Sequence, residues 1–96
     1  MAEEKNFETK VKAFLTENNC WYVKFFANAM TRKGVPDILA CVNGHFVGIE
    51  VKAEKGIVSE LQKYNIEKIK KANGIALILR PSNFDEFKLL IKELKK

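Results

Sequence analysis

The residues best suited to do chemistry in this chain are Asp37, Glu50 and Lys52. They lie on two apolar runs joined by Asn43-Gly44, the strongest short-range signal for a two-residue β-hairpin turn. If these two residues form the turn, directly opposed residues have numbers that sum to 87, which pairs Asp37 with Glu50. Strand alternation puts Lys52 on the same face as Glu50. Two carboxylates and one ammonium are therefore predicted to converge at the open end of a hairpin.

This predicted cluster favours a divalent cation. The flanking apolar runs are typical of strands buried on both faces, where charges are scarce and opposed like charges destabilise the sheet. A bound Mg²⁺ or Mn²⁺ would remove the conflict, because these ions prefer carboxylate and carbonyl oxygens such as those of Asp37, Glu50 and the Val51 backbone. Lys52 would then orient or deprotonate a water, or offset charge on a reacting phosphate. The alternative is a salt bridge between Lys52 and either acid, with no metal.

Hydrophobic periodicity predicts the elements that position this cluster. Amphipathic helices are predicted over residues 3–18, from Ser59 to the Asn73-Gly74 pair, and at the C-terminus, where Ser82 and Asp85 fit a capping-box pattern. Apolar, β-branched or aromatic runs predict strands over residues 20–26, 37–42, 45–52 and 75–79. The predicted order is α-β-β-β-α-β-α, an α/β fold with a mixed β-sheet flanked by helices.

Composition limits the classes of protein and partner. A chain of 96 residues with 47% hydrophobic residues is the size of one domain, predicted over residues 1–96. A net charge of +5 suits a polyanionic partner such as nucleic acid. The absence of an 18-residue apolar run and of a secretory signal predicts a cytoplasmic protein with no membrane partner. Cys20 and Cys41 are not spaced as zinc ligands, so two buried reduced thiols are expected.

The motif Gly34-Val35-Pro36-Asp37, followed by Glu50-Val51-Lys52, resembles the PD-(D/E)xK nuclease signature. The leading helix and the following Ser59-Glu60-Leu61-Gln62 segment are similar to the order in VRR-NUC domains, over roughly residues 4 to 80. The resemblance implies a restriction-endonuclease-like fold and a Mg²⁺- or Mn²⁺-dependent phosphodiester hydrolase. It also implies a further acid on the first helix, best matched by Glu8 as catalytic residue and metal ligand, with Glu4 as the alternative.

Gln62 has two interpretations. By resemblance it helps to hold the scissile phosphate or its water, and by local pattern it completes a capping box with Ser59. Three cations are predicted to contact DNA phosphates, with solvated charge as the alternative for each: Arg32, Lys33 and Lys55. The aromatic pairs Trp21-Tyr22 and Phe25-Phe26 are expected in the core, although stacking on bases or a dimer surface is also open.

The functional prediction is a DNA endonuclease that acts on branched DNA such as four-way junctions. Its catalytic set is Asp37, Glu50, Lys52, Gln62 and Glu8. Stand-alone copies of this length resemble phage proteins and junction-resolving enzymes, and symmetrical cleavage of a junction calls for a C2 homodimer. Two other classes remain open: a non-catalytic nucleic-acid-binding module on the same fold, and a subunit-interaction domain with a structural ion pair.

Overall fold

The computed structural model describes residues 2–28 and 30–96, and its element order confirms the predicted α-β-β-β-α-β-α. One short 3-10 helix precedes the last α-helix. The elements in chain order are α1 (Ala2–Glu17), β1 (Trp21–Lys24), β2 (Ile38–Val42), β3 (His45–Val51), α2 (Glu60–Lys71), β4 (Ile75–Leu79), the 3-10 helix (Pro81–Asn83) and α3 (Phe84–Leu94). Within the described residues, no helix has both the length and the apolar character needed to cross a bilayer.

The four strands form one mixed sheet in the order β1-β2-β3-β4. The β2–β3 ladder runs from Ile38 opposite Ile49 to Val42 opposite His45, so the predicted hairpin register is confirmed. Asn43-Gly44 forms the turn with positive φ at both residues, as a type I′ turn requires. β1 and β2 are also antiparallel, whereas β3 and β4 are parallel and are connected through α2.

The sheet has a different cover on each face. Alternate β3 residues Val47, Ile49 and Val51 are fully buried in the core that α1 and α3 complete, where Phe7 packs edge-on against Phe84. On the other face α2 packs against β3 and β4. The central strand β3 is therefore covered on both sides, as its continuous apolar sequence predicts.

The outer face of β1 and β2 has no covering helix among the described residues, and several expectations for this region are wrong. β1 ends at Lys24, so Phe25 and Phe26 lie beyond the strand. Trp21 and Phe26 are 66% and 73% exposed instead of lying in the core, and Cys41 is exposed instead of buried. Because α2 packs over β3 and β4, side chains on this face of the two outer strands stay in contact with solvent.

The expected capping role of Ser82 is also wrong. The chain makes a 3-10 turn after Arg80, and α3 begins at Phe84 without a side-chain cap bond from Asn83. Asn83 instead binds the preceding segment: its Oδ1 accepts from the Arg80 N–H at 2.7 Å, and its Nδ2 donates to the Ile78 carbonyl at 3.1 Å. Pro81 favours this tight turn because it fixes φ and cannot donate a hydrogen bond.

Gly34 brings the segment before β2 close to α2. Its φ of +80° is a left-handed conformation, and a Cβ there would lie 2.7 Å from both the Asn65 amide nitrogen and Leu61 Cγ. Asn65 also donates to the Lys33 carbonyl at 3.3 Å. Glycine is therefore required where the chain approaches α2 just ahead of Pro36 and Asp37.

Candidate active site

Glu50 is a carboxylate buried on the central strand, with only 2% of its surface exposed. Its Oε2 accepts a hydrogen bond from Gln62 Nε2 at 3.0 Å and lies 3.8 Å from Lys52 Nζ. Its Oε1 is buried and has no hydrogen-bond partner among the described residues. A buried oxygen without a hydrogen-bond donor costs folding free energy, so Oε1 is an acceptor that could still bind a donor or a cation.

Asp37 lies directly before β2 and is anchored to both neighbouring strands. Its Oδ2 accepts from the Val51 N–H at 3.0 Å, and its backbone carbonyl accepts from the Phe25 N–H at 2.8 Å. The first bond holds the carboxylate beside the β3 residue that follows Glu50. Asp37 and Glu50 are therefore brought together at the end of the hairpin, as the register predicts.

Burial and the closeness of Asp37 disfavour the charged form of Glu50. Burial and the negative charge of Asp37 together raise the pKa of Glu50 to about 8, and the positive charge of Lys52 opposes the shift. Near neutral pH the carboxyl group of Glu50 therefore keeps its proton. A divalent cation would replace that proton and supply the missing partner of Oε1, so the residues present fit the Mg²⁺ or Mn²⁺ that the sequence predicts.

Gln62 performs the capping role and also contacts the cluster. Ser59 is the N-cap of α2, and the capping box is complete: the Gln62 N–H donates to Ser59 Oγ at 3.1 Å, and the Ser59 N–H donates to Gln62 Oε1 at 2.9 Å. The same side chain donates through Nε2 to Glu50. The cap fixes the orientation of the amide, which leaves its NH₂ group directed at the acids.

Glu8 is not brought into direct contact with the other two acids. Its Oε1 lies 2.8 Å from Lys24 Nζ, and its Oε2 lies 2.9 Å from Lys12 Nζ. Burial opposes ionisation, but the hydrogen bonds from Lys24 and Lys12 prevail and the pKa of Glu8 is lowered. In residues 2–28 and 30–96 no three acids, histidines or cysteines are grouped closely enough to hold a metal ion. The alternative residue, Glu4, contributes only a minor charge effect that raises the pKa of Glu50.

Lys24 is the residue at this site that sequence reasoning missed. Its ammonium joins Glu8 at 2.8 Å to Asp37 Oδ1 at 3.7 Å. Burial alone would lower the pKa of Lys24, but the hydrogen bond that Lys24 donates to Glu8 and the charge of Asp37 raise it overall. The available signal was a single charge within the apolar run from Trp21 to Phe26.

The three cations predicted to contact DNA are all exposed. Arg32 and Lys33 lie in the segment before β2, and Lys55 lies in the loop after β3. Within the described part of the chain none of them forms an ion pair with an acid, so their charges face solvent. Both loops flank the strand ends that carry Asp37 and Glu50.

The pKa of Glu50 predicts how stability depends on pH in the metal-free protein. In the unfolded chain this carboxyl group loses its proton near 4.5, whereas the folded protein keeps it to about 8. The folded state binds more protons between these values, so stability should fall as pH rises from about 4.5 to about 8. Glu50→Gln should reduce this fall by on the order of a few kcal/mol and raise the melting temperature at pH 8.

Urea unfolding in EDTA at several pH values measures this effect. Glu60→Gln is the matched control, because Glu60 is 91% exposed and should leave the pH profile unchanged. A Glu50→Gln protein that is less stable than the parent at pH 8 would show that the charged carboxylate holds the fold together.

Comparison with known proteins supports the nuclease interpretation at the level of a family. Residues 2–92 match the family described as "Archaeal holliday junction resolvase (hjc)". No curated protein and no solved structure matched the chain. The match spans α1 through most of α3, including every predicted site residue, and it does not show the narrower VRR-NUC likeness. The chain belongs to the archaeal Holliday junction resolvase (Hjc) family, a family of PD-(D/E)xK-type nucleases.

Proposed function

We propose that this protein is a metal-dependent endonuclease that hydrolyses phosphodiester bonds in branched DNA, with four-way junctions as its preferred substrate. The observation that carries the proposal is Glu50: a buried acid beside Asp37, with one oxygen that has no hydrogen-bond partner among the described residues. A buried acid without full compensation lowers the stability of the fold, so its presence favours a functional role. The family match supports the substrate class, because the family is one of archaeal Holliday junction resolvases.

Asp37 and Glu50 are the proposed ligands of one Mg²⁺ or Mn²⁺ ion, together with the backbone carbonyl of Val51. A divalent ion held there would supply a water of lowered pKa and would offset the negative charge that develops on the phosphate. The Val51 N–H fixes Asp37 in position. The predicted role of Glu8 as a further ligand requires its carboxylate to leave Lys24 and Lys12.

Lys52 and Gln62 are proposed to position the reacting groups. The Lys52 side chain is 14% exposed, and its ammonium lies near Glu50 without a close hydrogen bond to it. It is therefore free to orient the attacking water or to neutralise a phosphate oxygen. Gln62 keeps Glu50 Oε2 engaged, so that the unpartnered Oε1 is the oxygen offered to the ion.

Arg32, Lys33 and Lys55 are proposed to bind the DNA backbone on both sides of the acids. Contacts of this kind supply affinity and depend on salt, but they do not read sequence. The net charge of +5 is consistent with this role. Junction preference would then depend on the spacing of two active sites. The VRR-NUC likeness, the phage source and the cytoplasmic location remain predictions from the sequence.

Cleavage of two strands at a junction requires two active sites, and we propose a C2 homodimer that buries the outer sheet face. Trp21 on β1 is opposite Cys41 on β2, which is in turn opposite Phe46 on β3, so the three form one row across the strands. All three are exposed, as is Val23 on β1. An exposed row of this kind on an edge of the sheet is a suitable surface for a second copy.

Incubation with Mg²⁺ or Mn²⁺ and a panel of linear, flapped and four-way-junction DNAs tests the activity. Junction DNA should be cut fastest, and EDTA should abolish cleavage. Asp37→Asn and Lys52→Met should each lower the rate by about a hundredfold or more. Lys63→Met is the matched control, because its ammonium pairs with exposed Glu60 on the surface of α2. Tight junction binding by the native protein without any cleavage would favour the non-catalytic binding module.

The two roles of Gln62 can be separated with two variants. Gln62→Glu keeps an acceptor for the Ser59 N–H but replaces the donor to Glu50 with a carboxylate, so activity should fall while the melting temperature stays close to the native value. Ser59→Ala keeps the donor and removes half of the cap, so it should cost about 1 kcal/mol of stability and retain activity. A fully active Gln62→Glu protein would reduce the role of Gln62 to capping.

The proposed dimer predicts a particle of twice the 11.0 kDa chain mass in sedimentation at micromolar concentration. Trp21→Glu should shift the equilibrium to monomer, because dimer formation would then bury an unpaired negative charge in the interface. Leu89→Glu is the control, since Leu89 is 64% exposed on α3 and away from that row. A native monomer that cuts both strands of a junction in one encounter would contradict the assembly.

A further inference from the structure

Lys24 occupies a position that no part of the proposed reaction uses. Its side chain is 21% exposed and comes from the end of β1. Its ammonium reaches an acid on α1 and an acid before β2: 2.8 Å to Glu8 Oε1 and 3.7 Å to Asp37 Oδ1. A cation therefore already bridges the first-helix acid and the hairpin acid.

The acids of the site differ in whether their carboxylate oxygens are already paired. Both oxygens of Glu8 are paired, one with Lys24 and the other with Lys12. Glu50 has a buried oxygen with no partner in the described part of the chain. The oxygen that is available to bind a metal therefore belongs to Glu50, whereas lysine ammonium groups already occupy both oxygens of Glu8.

A tethered ammonium and a free divalent ion compete for the same kind of position. Lysine places a single compact charge on a flexible stem, and unlike a dissolved ion it cannot diffuse away from the acids. A second divalent ion between Glu8 and Asp37 would have to displace this ammonium and then stay close to it. Repulsion between cations a few ångströms apart makes that arrangement unfavourable.

We propose that Lys24 is a positioning residue that acts as a built-in monovalent cation, keeps Glu8 away from the metal, and limits the site to one divalent ion held by Asp37 and Glu50. The inference rests on the proposed metal-dependent function. In two-metal nucleases a second ion supplies positive charge on the other side of the reacting phosphate. Lys24 places a fixed positive charge beside Asp37 without a second binding event.

Titration of the DNA-free protein with Mn²⁺ tests the inference, with calorimetry or the electron paramagnetic resonance signal of free Mn²⁺ as the readout. The native chain should bind one ion. Lys24→Met should bind two, with the first held roughly tenfold more tightly because a neighbouring positive charge is gone. Lys12→Met is the matched control: it also removes a cation from Glu8, but Lys12 does not contact Asp37, so one ion should bind.

Glu8→Gln tests the same point without changing Lys24. If the ion pair with Lys24 keeps Glu8 from binding metal, this variant should bind one Mn²⁺ with native affinity. The Lys24→Met/Glu8→Gln double variant should then bind one ion, whereas Lys24→Met alone binds two. Two ions on the native chain, or an affinity that falls in Glu8→Gln, would overturn the inference. So would a single ion of unchanged affinity in folded Lys24→Met. Native protein that binds no Mn²⁺ would instead overturn the proposed metal site itself.

Discussion

The burial of Glu50 is the physical constraint on which the rest of this structure depends. A carboxyl group on a strand covered on both faces must be hydrogen-bonded, neutralised or bound to a cation. The fold supplies one amide donor from Gln62 and the ammonium of Lys52 at 3.8 Å, and no group in residues 2–28 and 30–96 forms a hydrogen bond with the second oxygen. The pKa of Glu50 is therefore raised to about 8, a perturbation of the kind that marks candidate functional sites.

The surrounding elements hold this unfavourable group rigidly. Asp37 is tied to the strand that carries Glu50, and Gln62 is fixed by its own helix cap. The loop after Lys52 is fastened from the other side, where Arg80 Nη1 donates to the carbonyls of Ala53 and Glu54 at 2.8 and 3.0 Å. Hydrogen bonds that fix the supporting residues in this way preorganise a site before its substrate binds.

Charge is distributed unevenly around the acids. Lys24 and Lys12 form ion pairs with Glu8 on the α1 side, whereas among the described residues the ammonium that forms an ion pair with Glu50 is that of Lys52. Pairing an acid with a lysine reduces its repulsion of a polyanion such as DNA. The family match places the chain among PD-(D/E)xK-type nucleases, and the structure adds the positions of Lys24 and Lys12 beside Glu8.

By itself the sequence determined the element order, the hairpin register and the meeting of Asp37 with Glu50. These features depend on local physics: Asn43-Gly44 permits one tight turn, and alternation along two adjacent strands then decides which side chains are opposed. Only the tertiary structure decided that Lys24 joins Glu8 to Asp37, and that Trp21 and Phe26 stay exposed. Those outcomes depend on how α1 and α2 pack on the sheet, and contacts between residues distant in the chain leave no periodic signal within any one segment.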